Sequence, residues 1–248
     1  MQHRHWLAAI PKHLIRIKLL LLLAGLAPAA GLVIDYYQNA LGFDPLDRIM
    51  RSTGNVALIL LLVSLTVTPL RHFVTWLMVR IRAGYGKRVS DWNWIIKLRR
   101  MIGLLSFFYA TLHLVIYLWL DQGANMAYAL RDMLERPFLA VGMVAYLLLL
   151  PLALTANNYM MRRLGKEKWR RLHRTVYVIV ALQIIHYWML TKVGVNDPLP
   201  YTLVTVILLG WRMWFAWIPR KGRIPDHGME MPERGFTTSY SISPSNRK

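Results

Sequence analysis

Two histidines stand inside apolar runs, His113 in "SFFYATLHLVIY" and His186 in "VALQIIHYWM". Two arginines, Arg99 and Arg100, and a third histidine, His173, stand at the basic ends of the same runs. A neutral imidazole is a good ligand for iron, copper or zinc. An ionisable side chain inside hydrocarbon-like sequence is costly, so it is read first as functional, with an interhelical hydrogen bond as the plain alternative. The chain has no cysteine, which excludes disulfides, thiolate zinc sites and cysteine-held iron–sulfur clusters. Any metal must then be held by His, Met or Tyr. The other five histidines (His3, His5, His13, His72 and His227) lie in basic or loop segments and are read as solvated surface.

Spacing narrows the chemistry. His113 lies 12 residues after Met101 and His186 lies 11 after Thr175, counted from the start of each run. On helices rising ~1.5 Å per residue, each imidazole is ~16–18 Å from the same membrane face. Bis-histidine ligation of haem iron requires two neutral imidazoles at one depth. Zinc would want further ligands, and no Cys, Asp or Glu lies at this level. His113 and His186 are therefore expected to be the axial ligands of one haem.

His173 precedes His186 by 13 residues, a rise of ~20 Å that leaves the two rings ~140° apart on an ideal helix. The depth-matched position on the other run is Arg100, beside Arg99. Neither is an ordinary axial ligand, and both suit a propionate or a phosphate. Three readings of His173 stay open. It contacts an anionic cofactor with Arg99 and Arg100 or lines the electron path; it is a ligand of a second haem, ranked below; or it is plain surface.

These residues need membrane-length helices to hold them. The 248 residues are 56% hydrophobic with mean hydropathy +0.33, yet the formal charge is +19. Six apolar stretches approach the ~17–25 residues that cross a bilayer as a helix. The first starts near Leu19, and the others span about 55–69, 101–120, 137–156, 175–190 and 199–217. Pro151 is expected to kink the fourth. Segments on one side of these stretches hold 26 Lys and Arg residues, and those on the other side hold 5. The positive-inside rule puts the basic side in the cytoplasm. The fold expected is an all-α integral membrane protein, a six-transmembrane-helix bundle in the lipid bilayer with both termini cytoplasmic. Residues 1–18 form a basic N-terminal segment, 19–218 the bundle, and 219–248 a basic tail expected to be disordered. Nucleic acid is then not needed to explain the charge. The stretch "LLLLAGLAPAA" also fits a signal peptide. An uncleaved helix is preferred, because apolar sequence runs on to Ile34 and ends in the interfacial pair Tyr36–Tyr37.

Four segments together resemble the MsrQ (YedZ) family: "TGNVALILLLVSLTVTPLR", "RRMIGLLSFFYATLHLVIY", "RPFLAVGMVAYLLLLPLALTANN" and "LGKEKWRRLHRTVYVIVALQIIHY". That family comprises haem-binding membrane subunits of bacterial periplasmic protein-methionine-sulfoxide reductase systems, within the ferric-reductase-like transmembrane domains. The likeness covers about residues 15–215. It implies haem b, a flavin (FMN) and a bacterial inner-membrane location. It also implies electron delivery to a periplasmic molybdopterin-containing methionine sulfoxide reductase subunit that repairs oxidised proteins. His113, His173 and His186 match the family's haem-associated histidines. In the wider ferric-reductase group two helices each carry two ligands, for two stacked haems. Here Arg99–Arg100 occupies the inner place, which argues against a conventional second haem. No flavin- or nicotinamide-binding domain is legible, so a cytoplasmic flavin reductase or quinol is the expected donor. No Gly-rich phosphate loop marks an FMN site.

The function expected is a transmembrane electron conduit, with substrate chemistry left to the partner. Phe107, Phe108, Tyr109, Tyr117, Tyr187 and Trp188 are the aromatics near the haem level. The alternative is a transporter or proton channel using His113 and His186 as a relay. Against it stand the lack of inverted repeats and of acidic residues inside the spans. A pure membrane anchor leaves the depth-matched histidines unexplained.

Overall fold

The computed structural model describes residues 13–82, 85, 87–191 and 198–217, and among them all regular structure is helical. α1 spans Leu14–Tyr37, α2 Pro45–Arg80, α3 Asn93–Ile116, α4 Met126–Glu135 and α5 Pro137–Leu154. α6 spans Asn158–Leu164, α7 Lys166–His173, α8 Val176–Leu190 and α9 Leu199–Trp217. Among the described residues four helical runs are long and apolar enough to cross a membrane: α1, α2, α5 and Asn93–Asp121, which contains α3. Residues 1–12 and 192–197 and the tail after 217 lie outside the described residues.

α2 departs most from the stretch expected at 55–69, for it runs 36 residues. Asp44 caps its start by accepting from the Asp47 N–H at 2.9 Å. Pro45 follows in the first turn, where a missing N–H is harmless. The helix also passes through Pro69. Proline there removes the hydrogen bond to the Leu65 carbonyl four residues back. Arg212 of α9 supplies a replacement donor at 3.1 Å. α8 is only 15 residues long, or ~22 Å, against a hydrocarbon core of ~30 Å. Helices α4, α6 and α7 fill segments that read as loops in the sequence.

α2 packs along α3, and α5 along α8. Both pairs run antiparallel. Arg71, late in α2, donates to the Asn93 side chain at the start of α3 (2.8 Å), while His113, late in α3, meets Met50, early in α2. The same holds for Phe138 at the start of α5 and His186 near the end of α8. Between the pairs lies a core of Leu58, Leu61, Leu62 and Leu65 with Leu149, Leu152, Val176, Ile179, Val180 and Ile184, closed by Leu208 of α9. α1 docks on α3 through Tyr109, which is fully buried. Its hydroxyl donates to the Gly25 carbonyl (2.7 Å) and accepts from the Ala29 N–H (3.1 Å), the two groups one helical bond would otherwise join. Pro28 lies between them.

Candidate functional site

Above that core the two helix pairs part to enclose a cavity of about 250 Å³. Such a space is far larger than the water-sized voids of ordinary packing. Its walls come from α2, α3, α5 and α8, and both His113 and His186 face it. The lining is mostly apolar, with Leu58, Leu114, Leu139, Met143 and Leu149 among it. At the open end stand Asp47 and Arg51, an ion pair at 2.5 Å, and Met133 of α4. α4 is held over this end by Asp132, which accepts from the Tyr117 hydroxyl at 3.1 Å and pairs with Arg136 at 2.9 Å. Tyr117 itself opens a π-helical turn at the end of α3, a local widening common at functional sites.

Each imidazole is seated the same way. Nδ1 of His113 lies 3.0 Å from the Met50 carbonyl, and Nδ1 of His186 lies 2.7 Å from the Phe138 carbonyl. A carbonyl can only accept, so Nδ1 carries the proton and Nε2 keeps its lone pair. Four residues beyond each carbonyl stands a glycine, Gly54 on α2 and Gly142 on α5. A Cβ at Gly54 would lie 3.3 Å from the His113 ring, and one at Gly142 would lie 2.9 Å from the His186 ring. The absent side chains are what let the two imidazoles sit against the neighbouring helix. The fully buried Thr53 adds a hydroxyl 3.4 Å from His113 Nδ1. Gln183, one turn before His186, lines the cavity with a buried Oε1 that has no hydrogen-bond partner among the described residues.

Of the aromatics expected at this level, only Tyr117 and Tyr187 line the cavity. Tyr109 holds α1 instead, Phe108 and Trp188 are exposed, and Phe107 stacks on Tyr146 with ring centres 5.8 Å apart. The reason is angular: a helix turns one stripe of its residues toward one space and the others elsewhere. Sequence reasoning missed Gly54, Gly142 and Gln183. Small residues in otherwise bulky apolar runs ("STGNV", "AVGMV") were the available signal.

Arg99, Arg100 and His173 come together at the opposite end of the helices, away from the cavity. His173 experiences the charge of both arginines. Its ring stacks on Trp169 at 3.9 Å, and its Nδ1 meets the Trp169 carbonyl at 3.1 Å. Burial pushes its pKa down, the two guanidiniums push the same way, and the Trp169 and Leu152 carbonyls oppose them.

Residues 53–184 match the family described as "Ferric reductase like transmembrane component". Similar along most of its length is the protein-methionine-sulfoxide reductase heme-binding subunit MsrQ of Herminiimonas arsenicoxydans, at 41% identity over 85% of this chain and 90% of the relative. The subunits of that name from Azospira oryzae (40% identity, 82% of this chain, 81% of the relative) and Xanthomonas axonopodis pv. citri (41%, 77% and 83%) agree. The chain belongs to the MsrQ family. It is thereby a multi-pass membrane protein; of its cavity histidines, His113 lies within the matched segment and His186 two residues beyond it.

Proposed function

We propose that the chain is the haem-binding, electron-transferring membrane subunit of a protein-methionine-sulfoxide reductase system, with one haem b held between His113 and His186. The observation that carries this reading is the paired seating: two imidazoles from different helices face one cavity, each with Nδ1–H tied to a backbone carbonyl and Nε2 free. Such second-shell bonds orient a metal-binding imidazole and raise its basicity. The donor set fits a bis-imidazole haem better than a bare cation. Among the described residues no three His, Asp or Glu side chains group as a metal cage. Gly54 and Gly142 leave the room the two imidazoles need against the neighbouring helices, and Gln183 offers the cavity a polar group with no partner among the described residues.

When bound, the haem supplies reversible one-electron transfer, and two imidazoles would leave its iron no open position for oxygen chemistry. The chain's own residues do the rest. Met50 and Phe138 fix both tautomers, the apolar walls exclude water, and Arg51 at the open end suits a propionate carboxylate. The packed aliphatic core below supports one haem over two, because Val176, Ile179 and Val180 of α8 fill the space against Leu58–Leu65 of α2 and Leu149 and Leu152 of α5. His173 is read as a contact near the electron intake.

The remaining parts of the reading rest on charge and on family resemblance. Six spans with both termini cytoplasmic follow from the 26-to-5 distribution of Lys and Arg. The membrane is the bacterial inner membrane, the donor a cytoplasmic flavin reductase or quinol, FMN a second cofactor, and the acceptor a periplasmic molybdopterin-containing subunit. Visible spectroscopy tests the central statement. Purified wild type should show a low-spin haem b spectrum that shifts on dithionite reduction. His113→Ala and His186→Ala should each lose the haem or turn it high-spin, while His173→Ala should keep it. Loss of all haem in His173→Ala with a normal spectrum in His186→Ala would sink the pairing.

A further inference from the structure

α4 stands at the open end of the cavity, and only part of its surface is used there. Asn125 starts the helix by accepting from the Ala127 and Tyr128 amides at 3.1 and 3.2 Å. Asp132 fixes its rotation by accepting from the Tyr117 hydroxyl and the Gln122 side-chain amide, both at 3.1 Å, and from Arg136 at 2.9 Å. In that rotation Ala129 is fully buried and Met133 lines the cavity. Met126, Leu130 and Leu134 recur every four residues and so form one stripe. All three are exposed, at 61%, 57% and 86%. Leu130 lies ~100° around the helix from Ala129 on one side and ~100° from Arg131 on the other. Arg131 pairs with Glu135 at 2.8 Å, and both are exposed. The helix thus has a sector against protein, a bare apolar sector and a charged one. Ten residues are too few for a stable helix in water by themselves, and a contiguous stripe of large apolar side chains rarely faces water.

The surroundings of the stripe name its occupant. Arg136 is at once the C-cap of α4 and the N-cap of α5, so no linker carries α4 away from a helix long and apolar enough to span. Past Arg136 an exposed apolar stripe continues along α5 through Pro137, Ala140, Val144 and Leu147. In a multi-pass membrane protein that face of a spanning helix meets lipid. Tyr36 and Tyr37 at the end of α1 and Trp119 just past α3 stand exposed at the same end, and these residue types settle at headgroup level. We propose that α4 is an interfacial helix seated in the bilayer surface at the cavity end, with Met126, Leu130 and Leu134 among the acyl chains and Arg131 and Glu135 turned to water. Met133, next to Leu134, meets the cavity, so the rim of the cavity is held at the membrane surface. The inference rests on the chain's place in a membrane, and neither the haem nor the direction of insertion enters it.

The chain has no cysteine, so each single-cysteine variant takes one spin label at one place. Leu130→Cys, Leu134→Cys, Arg131→Cys and Glu135→Cys are made in the full chain, labelled with a nitroxide and reconstituted in phosphatidylethanolamine–phosphatidylglycerol vesicles. Power-saturation EPR then measures how well molecular oxygen, which concentrates in lipid, and a water-soluble nickel chelate reach each label. The oxygen-to-chelate ratio should be several-fold higher at 130 and 134 than at 131 and 135. Equal ratios at all four positions, or ready chelate access at 130 and 134, would put the stripe in water and overturn the seat. Immobile labels at 130 and 134 that neither reagent reaches would overturn it too, because a protein, such as a second copy of the chain, would then cover the stripe. Should Leu130→Cys fail to fold, Leu134→Cys decides, since a side chain 86% exposed supports little of the bundle.

Discussion

At the residue scale the glycines opposite the histidines make a graded prediction. A methyl at Gly142 would come within 2.9 Å of the His186 ring, and one at Gly54 only within 3.3 Å of the His113 ring. Neither ring can retreat without giving up its carbonyl. Overpacking of this kind costs ~1–3 kcal/mol. Gly142→Ala should therefore lower haem occupancy or shift the low-spin spectrum more than Gly54→Ala, and the reverse order would show that the seats do not control the ligands. His173 makes a second prediction, in pH. Burial, then Arg99 and Arg100, hold it below its ordinary value, so the folded chain binds fewer protons there than the unfolded chain. The stability this contributes is present above the unfolded value of ~6.5 and is lost as pH falls below it. Unfolding midpoints measured from pH 7.5 down to 5 should fall, and His173→Gln should flatten that slope.

The elements show what was legible and why. The apolar stretches gave the helices α1, α3, α5, α8 and α9 because a run that must satisfy its own backbone in hydrocarbon has one solution. The length of α2 was not legible. Its last turns carry Arg71, His72 and Arg80 after an internal proline, which together read as a loop; the helix persists because Arg212 relieves the Leu65 carbonyl. The depth match of His113 and His186 needed only the rise per residue. The seats needed the partner helices, and no single-helix pattern contains the pairing of α2 with α3 or of α5 with α8. Likewise Arg212 is one arginine in a basic chain until α9 brings it to the Leu65 carbonyl of α2. Tyr109 tests the docking of α1. Its hydroxyl bridges the Gly25 carbonyl and the Ala29 amide inside apolar packing, and leaving such groups unpaired costs ~1–3 kcal/mol. Tyr109→Phe should lower the unfolding midpoint and increase hydrogen exchange in 25–29 while leaving a haem spectrum intact, since α1 does not line the cavity.

On the scale of the whole molecule the histidine cavity and the end that carries Arg99, Arg100 and His173 lie apart along the same helices. From Tyr177 to His186 is nine residues of α8, ~14 Å of rise, and from Arg99 to His113 is fourteen residues of α3, ~21 Å. A chain that took electrons in at the arginine end and released them at the histidine end would carry them across most of the bilayer. That direction depends on which end faces the cytoplasm, and the proposed orientation rests on charge. The cavity end is flanked by 35–53 and 121–136, which hold two Lys or Arg residues each, and the arginine end by 71–100 and 157–174, which hold eight and seven. Each Lys or Arg near a span end biases it inward. Arg48 and Arg136 on the sparse side are already paired with Asp35 and Asp132, both at 2.9 Å. Reporter domains fused after Asn125 and Val195 should therefore be active only as periplasmic fusions, and those after Ser90 and Gly165 only as cytoplasmic ones. A cytoplasmic signal at Asn125 would put the histidine cavity on the donor side, and the release of electrons to a periplasmic acceptor would then have to run through the arginine end.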